Sequence, residues 1–231
     1  MNNEKYTQLK THLKGVPLFS SLTDDQIAVI AQTGVIRRFA KGQVILNQSS
    51  PGDTFYIVIS GHVKVVLLHE DGREIVLSLL KEGNFFGELS LLDNDPRSAT
   101  VIAAEDAALF VFTRRQFYQL IETYPSILKK VLREMCVRLR RADEKIESLA
   151  FLDVYGRTLM VLQQLAHDQG IVTKHGIEIS HAPTHLVLSG VVGTSRETIT
   201  RVITVLKKNK TLIMYKGRKL IMRKYDDGLF P

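Results

Sequence analysis

The stretch GELSLLDNDPRSAT, residues 87–100, places an acid, an arginine and two hydroxyls inside an apolar, strand-rich region. It follows the strand-like run REIVLSLL and precedes the strand-like run ALFVFT. We therefore expect it to form one helical turn and a loop between strands. Gly87 permits close approach of a ligand, Arg97 and Ser98 suit a phosphate, and Glu88 suits a ribose hydroxyl. Helix-start N–H groups also attract anions. A Glu88–Arg97 ion pair bracing a surface loop fits the same spacing equally well.

The region around this stretch has the pattern of an antiparallel barrel or sandwich. The runs QVILNQ, TFYIVISGHVKVVLLHE, REIVLSLL and ALFVFT are rich in β-branched and aromatic residues. The glycine-bearing segments SSPGD, EDGR and KEGN lie between them and indicate turns at hairpin spacing. Before them we expect a helical lead-in of some eighteen residues and a short helix capped by Thr23.

The composition limits the possible classes of protein. The chain has 231 residues, is 45% apolar and contains no run of eighteen apolar residues. Its N-terminus, MNNEKYTQLK, lacks a signal-peptide pattern, so we expect a cytoplasmic protein without a membrane segment. The single cysteine, Cys136, cannot form a disulfide within the chain or hold zinc alone, and is expected to be a small buried hydrophobe.

The net charge of +7 is confined to the last third of the chain. Residues 155–231 hold 12 Lys or Arg and 5 Asp or Glu, whereas residues 1–154 hold 19 of each kind. A neutral body with a basic C-terminal part indicates a polyanionic partner for that part alone. An ordinary solvated basic face is the alternative.

A long helix is predicted from Pro125 onward. Apolar residues recur along it at alternating spacings of four and three, at Leu128, Leu132, Met135, Leu139, Ala142, Ile146 and Leu149. We call these seven residues the seam. A heptad seam of this kind favours a parallel homodimer. An intramolecular packing stripe is the second interpretation.

The segment HAPTHLVLSGVVGTSRETITRVITVLKKNK predicts two helices joined at a turn by Gly193, with Thr194 or Ser195 capping the second. The second helix has an apolar face and a polar face suited to reading base edges, formed by Arg196, Glu197, Thr200 and Arg201. Lysines that would lie near phosphates follow, Lys208 among them. The run TLIMYKGRKLIMRK alternates like a hairpin around Lys216–Gly217, which predicts a winged helix.

The run FFGELSLLDNDPRSATV resembles the phosphate-binding cassette of cyclic-nucleotide-binding domains. The matching positions are Gly87, Glu88, Leu89, Arg97, Ser98 and Ala99. The resemblance implies that Glu88 accepts from the ribose 2′-hydroxyl and that Arg97 and Ser98 hold the cyclic phosphate.

Nearly the whole chain resembles the cyclic-AMP receptor protein (CRP/FNR) family, through this cassette and through SLAFLDVYGRTLMVLQQLA and GTSRETITRVITVL. The implied fold class is α+β, with a β-roll at residues 1–124, a dimerisation helix and hinge at 125–153, and a winged helix-turn-helix at 154–231. The resemblance implies a regulator without enzymatic activity, permanent cofactor or metal. Its implied partners are cyclic AMP as effector, promoter DNA read by Arg196, Glu197 and Arg201, a second copy of the chain, and RNA polymerase.

One pair of positions departs from the family pattern. Where the family has a Thr-Ser pair that reads the adenine base, this chain has Ala142 and Asp143. Alanine cannot hydrogen bond through its side chain, and an ionised aspartate only accepts. Cyclic AMP stays the favoured ligand, with cyclic GMP, a cyclic dinucleotide or no ligand as alternatives.

Other classes fit less well. An iron–sulfur sensor needs several cysteines, and a haem sensor needs axial ligands, for which His62 and His69 are expected to be surface residues instead. His175, His181 and His185 span a predicted loop without a cysteine or carboxylate cluster, which argues against a metal site. A phosphodiesterase could use Glu88, Arg97 and Asp143, but no metal set or activated nucleophile accompanies them. A regulatory subunit acting on another protein would leave the basic winged helix unexplained.

Overall fold

A computed structural model describes residues 3–68, 74–180, 182–216 and 219–223. The chain divides into two compact units, Met1–Leu139 and Arg140–Pro231. Their boundary lies within the long helix. Among the described residues, no helix is both long and apolar enough to cross a membrane.

Unit 1 begins with two helices and a short connection. Helix α1 spans Asn3–Gly15, a 3-10 turn follows at Pro17–Phe19, and α2 spans Asp24–Thr33. Thr23 accepts from Gln26 N while the Gln26 side chain accepts from Thr23 N, a capping box that fixes the start of α2. The predicted lead-in and cap are confirmed.

The strands of unit 1 form two antiparallel sheets of four strands each. In chain order the described strands are β1 (Val35–Phe39), β2 (Val44–Leu46), β3 (Thr54–Ser60), β4 (Val63–Leu68), β5 (Glu74–Leu80), β6 (Phe85–Phe86), β7 (Thr100–Ala103) and β8 (Ala107–Thr113). One sheet has the order β1-β8-β3-β6 and the other β2-β7-β4-β5. The predicted antiparallel β-roll is confirmed; the short strands β6 and β7, on either side of the cassette, were not predicted.

Aromatic side chains fill the centre of unit 1. Phe55, Phe110, Phe112 and Phe117 are fully buried, and the ring centroids of Phe55 and Phe117 lie 4.8 Å apart. Phe117 belongs to α4 (Arg114–Thr123), whose first turn is fixed by a second capping box between Thr113 and Gln116. This packing holds α4 against the sheet that carries β6.

Helix α5 spans Pro125–Phe151 and crosses the boundary between the units. Ile127 and Val131 are fully buried, and the seam residues Leu128 and Met135 pack partly against the same core. The other large seam residues are exposed, at Leu132 (54%), Leu139 (64%), Ile146 (66%) and Leu149 (50%). The intramolecular interpretation therefore holds only for the first part of the seam.

Cys136 is exposed, so its expected burial is wrong. It follows Met135 directly, and consecutive residues of a helix point about 100° apart. That rotation turns Cys136 away from the packed face.

Unit 2 is a winged helix-turn-helix. Asp153 caps α6 (Val154–Gln169) by accepting from Gly156 N at 2.8 Å. Next come β9 (Ile171–Thr173), β10 (Gly176–Ile179), α7 (His185–Val192), α8 (Arg196–Lys208), β11 (Leu212–Lys216) and β12 (Lys219–Met222). The sheet order is β11-β12-β10-β9. The predicted wing strands are present, although Gly217 and Arg218 at their turn lie outside the described residues.

The predicted loop spanning His175 to His185 is wrong at Gly176–Ile179, which form β10 and pair with β9, whereas His175 itself lies in the turn between the two strands. The segment carries Ile171, Val172, Thr173, Ile177 and Ile179, whose β-branched side chains favour strands. His181 lies outside the described residues, and His185 is the first residue of α7.

Candidate functional site

The cassette leaves the first sheet at β6, forms the short helix α3 (Leu89–Leu92) and enters the second sheet at β7. Gly87 has a φ of +84°, and a Cβ there would lie 2.8 Å from Thr54 O, so only glycine fits. Glu88 and Arg97 are buried, at 2% and 4% exposure. The structure thus brings the two predicted charged residues into one buried loop.

The remaining cassette residues lie at the edge of this loop. Leu89 is 43% exposed at the start of α3, and the Ser98 side chain is exposed beside the buried Arg97. Ala99 is buried just before β7. An exposed hydroxyl next to a buried guanidinium is an arrangement that can hold an anion.

Arg97 is held by oxygens of the backbone and one hydroxyl. Its guanidinium donates to Gly87 O at 2.8 Å, to Thr54 O at 2.8 Å and to Thr54 Oγ1 at 3.0 Å. None of the described residues forms an ion pair with it. The alternative of a Glu88–Arg97 ion pair is wrong. Burial lowers the pKa of Arg97, because the charged guanidinium loses solvation there.

Glu88 pairs instead with Arg138 of α5, whose guanidinium donates to Glu88 Oε1 at 2.9 Å. The Arg138 guanidinium also donates to Phe85 O and Glu134 Oε1, and its carbon lies 4.9 Å from the Phe85 ring centroid. Burial raises the pKa of Glu88, while the charge of Arg138 opposes that rise. Sequence reasoning missed Arg138 because 50 residues separate it from Glu88.

Two buried polar atoms of the cassette have no hydrogen-bond partner among the described residues, Glu88 Oε2 and Arg97 Nε. Buried polar atoms are nearly always satisfied, and exceptions often mark functional sites. The unpaired acceptor and the unpaired donor both belong to residues that the sequence assigned to a ligand.

A second arginine that the sequence analysis missed holds the cassette in place. Arg114, the first residue of α4, donates to Ser90 O, Leu91 O, Gly52 O and Asn94 Oδ1. Tyr118, one turn later, donates to Leu91 O at 2.5 Å. The bonds to Ser90 O and Leu91 O satisfy carbonyls at the end of α3, which have no hydrogen-bond donor within the helix. A short polar helix start after a strand was the only sequence signal for Arg114.

The candidate DNA-binding surface is the outer face of α8. Ser195 accepts from Thr198 N and is the N-cap, whereas Thr194 lies in the turn after Gly193, whose φ is +76°. The inward side chains Ile199, Val202, Ile203 and Leu206 are buried. The predicted reading residues Arg196, Glu197, Thr200, Arg201 and Lys208 are all exposed. Helix α8 therefore offers a polar, mainly basic face to solvent.

Ala142 and Asp143 are exposed on the part of α5 that belongs to unit 2. His62 contacts Glu105 at a turn of unit 1, and His69 is outside the described residues. Within the described part of the chain, no three His, Cys, Asp or Glu side chains lie together as a metal site would require.

Comparison with known proteins places the chain in a family. Residues 36–124 match the cyclic nucleotide-binding domain family. The chain is 34% identical over 194 residues to a cyclic AMP receptor protein of Thermus thermophilus, covering 84% of this chain and 87% of that protein. It is 33% identical over 189 residues to a cAMP-activated global transcriptional regulator of Salmonella typhimurium, covering 81% and 89%.

A solved structure agrees with these sequence matches. The c-di-GMP-responsive global regulator of Xanthomonas campestris superimposes with a TM-score of 0.75 and 26% identity, covering 88% of this chain and all of that one. Both the sequence matches and the fold extend over most of the chain. This chain belongs to the cyclic-AMP receptor protein (CRP/FNR) family of transcription regulators.

Proposed function

We propose that this protein is a homodimeric bacterial transcription regulator in which a cyclic nucleotide bound in the β-roll controls sequence-specific binding of promoter DNA. The observation that carries the proposal is the buried guanidinium of Arg97, which has no carboxylate partner among the described residues and lies beside the exposed Ser98 hydroxyl. A buried cation without an anion is costly, and a phosphate would neutralise it.

In this proposal Arg97 and Ser98 bind the cyclic phosphate. The left-handed backbone at Gly87 brings the chain close to the ligand, and Leu89 and Ala99 contact its apolar parts. Glu88 accepts from the ribose 2′-hydroxyl through Oε2, the oxygen that Arg138 does not occupy. Each atom left unpaired in the described structure thereby gains a partner of the right kind.

We infer cyclic AMP as the effector, since the named relatives in Thermus and Salmonella are a cyclic AMP receptor and a cAMP-activated regulator. Ala142 and Asp143 would approach the base from α5. An aspartate can accept from the adenine amino group and equally from a guanine N–H. Cyclic GMP or a cyclic dinucleotide is therefore the second candidate, and the Xanthomonas regulator is c-di-GMP-responsive by name.

The exposed part of the seam supports the homodimer. Leu132, Leu139, Ile146 and Leu149 are each at least half exposed in the single chain. They repeat at heptad spacing, which gives one continuous apolar stripe. Two parallel copies of α5 would cover this stripe.

The exposed face of α8 supports major-groove reading. Arginine pairs bidentately with guanine, and glutamate accepts from cytosine, which suits Arg196, Arg201 and Glu197. Thr194, Ser195, Thr200 and Lys208 would contact phosphates or flanking bases. We further propose RNA polymerase as a partner, a cytoplasmic location and no enzymatic activity.

We expect the Arg97→Leu change to weaken cyclic AMP binding by several kcal/mol, because it removes the cation facing the phosphate. Ser98→Ala should cost about 1 kcal/mol. Isothermal titration calorimetry measures both, with urea unfolding to verify that the variants fold. Arg115→Leu, an exposed neighbour of Arg114 on α4, is the matched control and should bind normally. Wild-type affinity in Arg97→Leu would refute the phosphate-binding role.

The Arg138→Met change should lower the free energy of unfolding by about 3 kcal/mol near neutral pH, because Glu88 would remain buried without its ion pair. Burial already raises the pKa of Glu88, and removal of Arg138 raises it further. The loss should shrink as the pH falls through the raised pKa of Glu88 in the folded protein, because the carboxyl is then neutral with or without Arg138. Urea unfolding at several pH values measures this, with exposed Arg133→Met as control. A loss independent of pH contradicts the assignment.

Arg196→Ala or Glu197→Ala should weaken binding to a specific duplex by about 1–3 kcal/mol and relax discrimination at one base pair. Lys208→Ala should weaken specific and random duplexes alike, because a phosphate contact carries no sequence information. Fluorescence anisotropy with both duplexes measures the affinities. An equal loss on both duplexes for all three variants would remove Arg196 and Glu197 from base reading.

The regulator itself is tested by measuring operator affinity with saturating cyclic AMP and without it. Two recognition helices must lie about 34 Å apart to enter successive major grooves, so a small rotation at the hinge after α5 decides between fit and mismatch. Nucleotide should raise operator affinity, and operator should raise nucleotide affinity by the same factor. Asp143→Ala should change this factor or the preference between cyclic AMP and cyclic GMP, whereas Glu147→Ala should not. If the protein binds cyclic AMP but its operator affinity is the same with and without it, the protein binds DNA constitutively and the regulatory role is refuted.

A further inference from the structure

His185, a residue outside the surface described above, contacts the recognition helix α8. Its Nδ1 lies 3.0 Å from Thr200 Oγ1. We assign the single hydrogen of the Thr200 hydroxyl to Arg196 O, which lies 3.0 Å away and can only accept, so that the hydroxyl accepts from the histidine. Nδ1 therefore carries a hydrogen, and Nε2 is the atom that gains or loses a proton.

The same ring contacts the wing. The His185 and Tyr215 rings pack edge to face with centroids 5.1 Å apart. Tyr215 donates to Pro183 O, just before α7, and its own carbonyl accepts from Lys207 Nζ at 3.1 Å. Burial raises the pKa of Tyr215 to about 12, so the phenol stays protonated. His185 thus joins α7, α8 and β11, the three elements that fix where α8 presents its outer face.

Two charged groups of the described residues act on His185, and both are cations. Arg196 and Lys207 face it from α8, β11 contributes the neutral Tyr215, and α7 itself contains no other ionisable side chain. Burial first, and then the charges of Lys207 and Arg196, lower the pKa of His185 from its ordinary value of 6.5. The ring is therefore neutral at neutral pH. His185 is half-buried as a residue, and its Nε2 has no hydrogen-bond partner among the described residues.

We propose that His185 is a further DNA-contacting residue, which positions Thr200 through Nδ1–H and binds a backbone phosphate through a proton taken up at Nε2 when DNA docks. The proposal rests on the DNA-binding function proposed above. A phosphate near Arg196, Lys207 and His185 replaces repulsion among cations with attraction, which favours the imidazolium. Protein and DNA together then bind one proton more than they do apart.

The sign of the pH effect follows from this proton uptake. The pKa of His185 lies below 6.5 in the free protein and rises in the complex. Operator affinity therefore increases as pH falls through the interval between the two values, by up to about tenfold per pH unit for one proton. The imidazolium also adds a cation at the phosphates, so the salt dependence of binding should be steeper at low pH than at high pH.

The test uses the full-length protein saturated with cyclic AMP and a duplex of ~30 bp that the wild-type protein has selected from a random pool. Anisotropy from pH 8 to 5.5 at constant salt measures the affinity of wild type, His185→Gln and His175→Gln. Glutamine can still donate to Thr200 but cannot take up a proton. His175 is exposed in the turn between β9 and β10, so its variant is the matched control. We expect the operator affinity of His175→Gln to rise at low pH as that of wild type does. For His185→Gln, that rise should be smaller than in wild type by about tenfold.

A measurement without substitution covers the case in which His185→Gln folds poorly. Nuclear magnetic resonance titration of the His185 ring in the wild-type protein gives its pKa with and without the duplex. A higher pKa in the complex supports the proposal; an equal or lower value overturns it, as does a wild-type pH profile in a folded His185→Gln variant. A wild-type protein that binds cyclic AMP but selects no duplex at any pH would instead refute the proposed DNA-binding function, and this inference with it.

Discussion

The burial of two opposite charges that do not pair with each other is the constraint on which the cassette depends. Glu88 and Arg97 are almost fully buried, yet Glu88 pairs with Arg138 and Arg97 with carbonyl and hydroxyl oxygens. A direct pair between them would have given each charge an ionic partner within the cassette. Because each is held by a different part of the fold, both still present an unpaired atom.

The partners of Glu88 and Arg97 determine which parts of the fold a bound ligand could affect. Arg97 is anchored to Thr54 on β3 and to Gly87, both within the β-roll. Arg138 belongs to α5, a continuous helix that extends to Phe151. In the proposed complex, a ribose hydroxyl would donate to Oε2 of the same carboxylate whose Oε1 accepts from Arg138. The Glu88–Arg138 pair is therefore a physical connection between an occupied cassette and the helix whose seam would form the dimer.

What the sequence predicted well is local in the chain. The strands β3, β4, β5 and β8, the Thr23 cap and the buried face of α8 follow from neighbouring residues alone. Arg138 and Arg114 could not be predicted as cassette partners, because 50 residues separate Arg138 from Glu88 and 23 separate Arg114 from Leu91. Their roles depend on tertiary packing, as does the outward direction of Cys136. Pairing of β9 with β10 was missed, since this segment was considered only for its histidines and not for the β-branched residues on either side of His175.

The exposed part of the seam gives the proposed homodimer its physical reason. In the first part of the seam, Leu128 and Met135 pack against the core of the β-roll. In its second part, Leu139, Ile146 and Leu149 remain at least half exposed. Full burial of a leucine or isoleucine side chain contributes about 1.5–3 kcal/mol, so covering these residues on two copies offsets much of the entropy lost on association. Arg140, Arg141 and Asp143 flank the same stripe, and their charges disfavour burying it inside one chain. The seam lies on a helix that begins in unit 1 and ends before α6, and charged residues border it. We infer that a second copy of the chain covers it. The contact between the two copies of α5 would then also set the distance between the two recognition helices.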